Sequence, residues 1–185
     1  ALKWFSESTA ESDAPVFLWL HYWDPHDPVI LPPAEKLEAL LYDSGSGRLL
    51  SDFSRMYAAE LRYQDENLGR LFRGLGESGL LDETVLAITA DHGQGLDDGR
   101  ELHGWGKHRV LYREVLHVPL ILRGPGVQPG VRVTDQVRTA DIAPTLIDLV
   151  GLESKLLDSD VEGVSLVERL DGRPRGHPTA YGEQI

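Results

Sequence analysis

Two runs of apolar and β-branched residues dominate the hydrophobic pattern of the chain. The first covers Val16–Trp23, and the second covers Thr84–Ala90 and is followed directly by Asp91, His92 and Gly93. Unbroken apolar runs of this length are typical of strands that are buried on both faces of a sheet. Both runs end abruptly in polar residues, so the pattern predicts two buried strands whose carboxyl ends lead into polar loops.

A long helical pattern lies between the two runs. From about Ser51 to Ser78 apolar side chains recur with the spacing of one helix face, and the stripe consists of Leu61, Leu68, Leu71, Phe72 and Leu75. Gly79 is expected to end this helix. A strand, a crossover helix and a second strand form the βαβ unit of a parallel sheet. The pattern therefore predicts an α/β fold, with a doubly wound, mostly parallel sheet and helices on both faces.

Weaker patterns predict the remaining elements. A third strand over Val115–Arg123 contains Pro119, which places it near an edge or a bulge. A helix that has Thr139 or Asp141 as its N-cap is expected to end before Gly151. At the ends of the chain we expect the tail of a helix and a linker in residues 1–14, and the start of a further strand in residues 171–185.

The composition excludes several classes of function. The chain has 185 residues and a formal net charge of −12, which argues against a nucleic-acid partner because phosphate backbones require a basic surface. It contains no cysteine, so disulfides, zinc–thiolate sites and a cysteine nucleophile are excluded within these residues. No apolar run reaches the length of a membrane span, and no signal peptide is visible. Because the chain starts at Ala1 and ends in a strand-like sequence, we expect a segment of a longer protein.

Asp91 and His92 are the first candidates for chemistry. In open α/β sheets ligands bind just beyond the carboxyl ends of the strands, which is where these two residues are predicted to lie. An adjacent carboxylate and imidazole there can hold a metal ion, and Gly93 lets the backbone turn sharply away. The alternative is that Asp-His-Gly forms only a tight turn after a strand.

Further candidates lie in two other loops. His26 follows the first predicted strand between two prolines, and His103, Lys107 and His108 lie in the loop after Gly93. Imidazoles, an ammonium group and a metal ion can together hold a tetrahedral oxyanion, and Lys or His can protonate a departing oxygen. Each has a structural alternative, because a lysine is most often solvated and a loop histidine often serves only its own loop.

Taken together, the residues of the chain resemble the sulfatase family of the alkaline phosphatase superfamily. The matching pieces occur in family order, roughly from Pro15 to Leu170, and they are Phe17–Pro28, Tyr63–Gly69, Gly79–Gly93, Leu111–Ile121 and Thr139–Leu146. No single piece decides the resemblance, but their order and spacing together are specific. The resemblance implies an alkaline phosphatase-like α/β fold, with residues 15–170 as its main match.

The resemblance also implies roles for the candidate residues. Asp91 and His92 match the family's downstream pair of metal ligands, in the variant that has His where others carry Asn. His26 matches a substrate-contacting histidine, and Lys107 falls near the cationic residue that contacts the sulfate and the leaving oxygen. Because that loop varies in length, His103 or His108 remains an alternative to Lys107. The implied metal is calcium, while manganese or magnesium stays open because an imidazole is an unusual ligand for a hard cation.

Two parts of the family pattern are absent from this chain. The formylglycine motif that supplies the nucleophile is missing, and so is the upstream pair of aspartates that completes the metal site. Both belong before the first strand. We therefore expect the chain, residues 1–185, to be the C-terminal portion of one sulfatase-like catalytic domain and to be inactive by itself.

The function that the resemblance implies is hydrolysis of a small sulfated ester by a metal-dependent sulfatase. One alternative is a phosphoric or phosphonate ester hydrolase, or a phosphotransferase, on the same scaffold. Another is a non-catalytic protein that binds sulfated or phosphorylated ligands. The residues predict neither the organic group of the substrate, nor the localisation, nor the oligomeric state.

Overall fold

The structure is a computed structural model that describes residues 1–11, 14–26, 32–37, 52–96, 111–152, 162–176 and 179–180. Two compact units divide the chain, one formed by Ala1–Leu81 with Leu96–Trp105 and the other by Asp82–Gly95 with Gly106–Ile185. Among the residues that the structure describes, no helix combines the length and the apolar character that a membrane span needs.

The first unit is built on two helices, α1 (Leu2–Glu11) and α2 (Asp52–Glu77). They approach closely where Leu2 packs on Gly74, since a Cβ at that glycine would lie 2.3 Å from a Leu2 methyl carbon. The buried apolar side chains of this unit are Phe5, Ala59 and Leu75. Residues 34–37 are also helical. The predicted crossover helix is thus present, and Gly79 follows it with a φ of 75°, the left-handed conformation of a helix stop.

The first predicted strand, Val16–Trp23, is not formed, because residues 15–23 carry neither helix nor strand. The side chains of Phe17 and Trp19 are 76% and 75% exposed. A strand of this composition requires neighbouring strands that pair its backbone and layers that cover both faces. The described residues place no strand beside it, so the predicted βαβ unit is not completed within them.

The second unit contains the only sheet that the described residues form. Strand β1 (Leu86–Thr89) pairs antiparallel with strand β2 (Leu120–Arg123), in a register that places Leu86 opposite Arg123 and Thr89 opposite Leu120. β1 confirms the strand predicted from the second apolar run. The pair is antiparallel, whereas the sheet was predicted to be mostly parallel, and antiparallel edge pairs are common in such mixed α/β sheets.

The third predicted strand is shorter than expected. Its first residues belong instead to a short helix, α3 (Arg113–Leu116), and β2 begins only at Leu120. Pro119 explains the late start, since proline has no N–H to donate to a sheet ladder. The sequence pattern placed the strand correctly but could not separate it from the apolar helical turn before it.

Helix α4 (Ile142–Leu149) is entered through a 3-10 turn, Thr139–Asp141, and is followed by Gly151 at a φ of 71°. The predicted stop is therefore confirmed, and so is Asp141 as the residue at the N-cap position of α4. The residue before α4 is Asp141, yet its side chain makes no capping hydrogen bond to the helix. The Asp141 side chain is fully buried, and it accepts hydrogen bonds from the backbone N–H groups of Arg138 and Val164.

The Asp141 carboxylate accepts several hydrogen bonds from two segments of the second unit. It accepts hydrogen bonds from the backbone N–H of Arg138 at 2.9 Å, from the Arg138 guanidinium at 2.7 Å and from the Val164 N–H at 3.0 Å. Burial by itself would raise the pKa of Asp141, but these hydrogen bonds outweigh it and hold the pKa below its ordinary value.

The Thr145 hydroxyl extends this network to the next segment of the chain. It is fully buried, donates to the Asp141 carbonyl at 2.5 Å and accepts the Leu166 N–H at 2.9 Å. The side chains of Asp141 and Thr145 together therefore fasten the segment around Val164 and Leu166 to the start of α4.

The structure predicts that Asp141→Asn lowers the free energy of unfolding by about 2 to 4 kcal/mol at neutral pH, because the half-buried Arg138 loses its anionic partner and the buried hydrogen bonds of the carboxylate are disturbed. Since the folded-state pKa of Asp141 lies below the unfolded value of about 3.9, the carboxylate stabilises the fold above that pH. This contribution is lost as the pH falls through the folded-state pKa. Chemical denaturation of the complete protein between pH 3 and 7 measures both effects.

Asp148→Asn is the matched control, because Asp148 lies in α4 and accepts the Ser165 hydroxyl at an exposed position. We expect the loss of stability there to be below about 1 kcal/mol. Equal losses of unfolding free energy in Asp141→Asn and Asp148→Asn would show that the buried Asp141 network contributes no more than an exposed hydrogen bond.

Candidate metal and substrate site

Asp91 and His92 lie in the loop that leaves the carboxyl end of β1. The Asp91 side chain is 82% exposed and that of His92 is 35% exposed. One Asp91 oxygen, Oδ1, accepts the His92 backbone N–H at 2.9 Å, while the other, Oδ2, lies 3.7 Å from His92 Nε2. The local turn therefore brings a carboxylate oxygen and an imidazole nitrogen to the same side of the loop.

The His92 ring is oriented by its second nitrogen. Nδ1 lies 2.7 Å from the Gly93 carbonyl oxygen, which has no hydrogen to give, so in the neutral ring Nδ1 is the donor. Nε2 then carries the lone pair. An imidazole whose other N–H donates to a backbone carbonyl is the usual arrangement of a metal-ligating histidine.

Asp91 and His92 fit a divalent cation as part of a ligand set. Two atoms that bind one ion at 2.0–2.5 Å are separated by about 3 to 4 Å, which the distance between Asp91 Oδ2 and His92 Nε2 satisfies. Within the described ranges, no group of three or more His, Cys, Asp or Glu side chains is placed to hold a metal. The pair alone therefore supplies a partial site.

Gly93 matters to this loop because it has no side chain, and not because of its backbone conformation. Its φ is outside the left-handed region, so the sharp turn that the sequence suggested does not require glycine for that reason. Its N–H donates to the Val115 carbonyl at 2.7 Å, and a Cβ at this position would lie 2.0 Å from the Glu114 carbonyl oxygen. The loop after His92 thus lies directly against the backbone of α3. The pattern of side chains in the sequence does not predict this contact.

His26 lies in the first unit, at the end of a turn in which its N–H donates to the Trp23 carbonyl at 2.9 Å. The Trp23 and His26 rings are in contact, with their centroids 4.6 Å apart and their planes inclined by 37°. The His26 side chain is exposed. Residues 23–26 are therefore held by their own turn and by the contact between the two rings.

The remaining candidates, His103, Lys107 and His108, lie outside the residues that the structure describes. Asp91 and His92 belong to the second unit, and His26 belongs to the first. The structure therefore brings Asp91 and His92 together, and the predicted roles of His26, Lys107 and His103 stay predictions.

A sequence profile of the sulfatase family matches residues 1–152. The chain belongs to the sulfatase family. It is 36% identical over 124 residues to the choline-sulfatase of Rhizobium meliloti (strain 1021), a match that covers 67% of this chain and 23% of that protein. The chain thus spans less than a quarter of the length of this relative.

Solved structures confirm the predicted alkaline phosphatase-like α/β fold class. One is the structure of BT4656 in complex with its substrate D-glucosamine-2-N,6-O-disulfate, which is 35% identical with a TM-score of 0.55 over 68% of this chain and 24% of that one. Another is the phosphonate monoester hydrolase of Agrobacterium radiobacter, which is 26% identical with a TM-score of 0.68 over 96% of this chain and 42% of that one.

The contact between His92 and Gly93 predicts one tautomer of the imidazole. In ¹H–¹⁵N correlation spectra of the metal-free complete protein at alkaline pH, we expect the His92 hydrogen on Nδ1, because that nitrogen faces the Gly93 carbonyl. Loss of the signals in His92→Gln assigns them. A His92 ring that carries its hydrogen on Nε2 would contradict the geometry.

Proposed function

We propose that the complete protein is a metal-dependent sulfuric ester hydrolase. Membership of the sulfatase family supports this, and so does the position of Asp91 and His92 just beyond the carboxyl end of β1. The observation that carries the proposal is the facing arrangement of Asp91 Oδ2 and His92 Nε2 at 3.7 Å, with Nδ1 held by the Gly93 carbonyl. This is how a carboxylate and an imidazole are arranged to share one cation.

In this proposal Asp91 and His92 hold the cation, which is calcium, with manganese or magnesium as alternatives. The cation, when bound, supplies positive charge against the non-bridging oxygens of the sulfate group. His26 hydrogen-bonds the same group, and Lys107 neutralises it and donates a proton to the departing alcohol oxygen, with His103 or His108 as alternatives for that step. The formylglycine nucleophile and the other metal ligands come from outside these residues, so the chain alone is inactive.

The substrate is a small sulfated ester. Two similar proteins are linked to sulfated compounds, since one is called a choline-sulfatase and the other, BT4656, was solved with a disulfated glucosamine as its substrate. These two organic groups, a quaternary ammonium alcohol and a sugar, have little in common beyond the sulfate. The proposal therefore extends to the sulfate ester and not to the alcohol that carries it.

Hydrolysis of a phosphonate or phosphoric ester is the second candidate function. It is favoured by the 26% identity to a phosphonate monoester hydrolase, since that match extends over 96% of this chain. An imidazole in the ligand set also suits manganese better than calcium. A non-catalytic protein that binds sulfated or phosphorylated ligands would keep the anion site without turnover.

Replacement of Asp91 tests the metal assignment. In the complete protein, we expect Asp91→Asn to weaken binding of the divalent cation about 10- to 100-fold or more. Turnover of an aryl sulfate should fall at least 100-fold, since anion neutralisation is lost with the cation. Calorimetric titration with Ca²⁺ and Mn²⁺ measures the first effect, and release of the aryl alcohol measures the second.

Asp82→Asn is the matched control, because Asp82 is an exposed carboxylate just before β1 that pairs with Arg123 at 2.8 Å. It should leave metal affinity and turnover within about twofold of the wild type. If Asp91→Asn behaves like Asp82→Asn, the metal site is elsewhere. Faster turnover of an aryl phosphonate monoester than of the aryl sulfate would favour the second candidate function, and no turnover of either would favour the binding protein.

A second set of variants tests the cationic residue of the site. Lys107→Ala in the complete protein should lower kcat for the aryl sulfate by about 100-fold, which is the usual contribution of a positioned acid or oxyanion contact. Each of His103→Ala and His108→Ala should have a smaller effect. If one of these two histidines gives the large loss and Lys107 does not, that histidine is the group that contacts the leaving oxygen.

A further inference from the structure

Two glycines mark the ends of the β1–β2 pair, and both press against the backbone of the opposite segment. At one end a Cβ on Gly124 would lie 2.6 Å from the Thr84 carbonyl oxygen, and at the other a Cβ on Gly93 would lie 2.0 Å from that of Glu114. Carbon and oxygen atoms that are not bonded do not approach this closely. Each contact therefore exists only because the residue has no side chain.

The Gly93 contact differs from the Gly124 contact in what lies next to it. Gly93 directly follows Asp91 and His92, and its carbonyl holds His92 Nδ1. Its own N–H is held by the Val115 carbonyl at 2.7 Å. Gly93 thus links the imidazole, through its C=O, to the backbone of α3, through its N–H.

The segment that receives Gly93 is itself fixed at two points. The Val115 side chain is only 6% exposed, which anchors α3 in the second unit. A few residues further on, Leu120 pairs with Thr89 at the end of β1. The stretch from Thr89 to Gly93 is therefore held at both ends by one continuous segment, and Asp91 and His92 lie between the two attachments.

We propose that the Glu114–Val115 backbone of α3 is a positioning element that holds Asp91 and His92 in the arrangement needed to bind the metal, and that Gly93 is glycine for this reason. The inference rests on the proposed function, because it assumes that these two side chains bind the cation. A side chain at position 93 forces the peptide away from Glu114 and breaks the hydrogen bond to Val115. The His92 ring then loses the carbonyl that orients it.

Gly93→Ala and Gly124→Ala in the complete protein form the decisive comparison. Both place a Cβ against a backbone carbonyl, so both should lower the melting temperature of the metal-free protein. Only Gly93→Ala should also weaken binding of Mn²⁺, by about 10- to 100-fold, the usual effect of losing a contact that orients a ligand. Gly124→Ala should bind Mn²⁺ within about twofold of the wild type. Equal losses of affinity in the two variants, or none in Gly93→Ala, would overturn the inference.

A gentler pair of variants covers the case in which Gly93→Ala does not fold. Val115→Ala removes the buried side chain that anchors α3 but keeps the backbone atoms that contact Gly93. Leu166→Ala removes a side chain that is 3% exposed and that packs near α4. Leu166→Ala should cost more stability because it loses more buried methylene groups, yet only Val115→Ala should weaken Mn²⁺ binding, by several-fold. Affinity that follows stability in both variants would overturn the inference.

Electron paramagnetic resonance of bound Mn²⁺ provides a readout that a purely structural role would not change. The wild type should show a nitrogen coupling from His92, and Gly93→Ala should weaken or lose it at saturating metal. A wild type that binds no divalent cation, or one whose binding survives Asp91→Asn, would overturn the metal assignment and this inference with it. Normal dependence on Asp91 together with an unchanged nitrogen coupling in Gly93→Ala would overturn this inference alone.

Discussion

The pairing of β1 with β2 is the constraint on which the candidate site depends. Four residue pairs join the strands in a single register, and that register determines which residue of the chain faces the end of β1. Because Thr89 lies opposite Leu120, the residues just before Leu120 necessarily lie beside the loop that carries Asp91 and His92. A shift of the register by one residue would turn every side chain of one strand to the other face and move α3 away from Gly93.

Close backbone contacts, rather than side-chain packing, hold this arrangement at its ends. The sheet is small, and side chains such as Ile121 remain 57% exposed, so the hydrophobic contribution to its rigidity is limited. Glycines allow main chain to lie directly on main chain at both ends of the pair, and at Gly93 the contact includes a hydrogen bond of 2.7 Å to the Val115 carbonyl. The buried Asp141 network has a similar role around α4, where one carboxylate joins two segments of the backbone.

The elements that the sequence predicts well are those whose own residues determine them. Helix α2 follows from its apolar stripe, and Gly79 and Gly151 end helices because a left-handed residue is needed there. The prediction failed where the outcome depends on partners elsewhere in the chain. Val16–Trp23 has the composition of a buried strand, but strand formation requires a neighbour. Asp141 lies at the predicted N-cap position, but its carboxylate accepts hydrogen bonds from Arg138 and from Val164, a residue distant in sequence, instead of capping α4.

The candidate site also contains features that the sequence predicts and features that it does not. Asp91 and His92 could be found from sequence, since adjacent polar residues after an apolar run need only their own strand to place them. The contact of Gly93 with Glu114 and Val115 could not be found, because it is made by backbone atoms that every residue type shares.

The charge of the chain shows why the position of this pair matters. With a formal net charge of −12 and an Asp91 carboxylate that is 82% exposed, the isolated loop repels an anionic substrate. In the proposed enzyme, a divalent cation between Asp91 and His92 would reverse the local sign, and its affinity would depend on the arrangement of these two side chains. In the proposed enzyme, the affinity for the sulfate group is therefore coupled to the geometry of the metal ligands. If the proposal is right, the uncharged backbone contact at Gly93 affects the electrostatics of the site through the metal ligands that it positions.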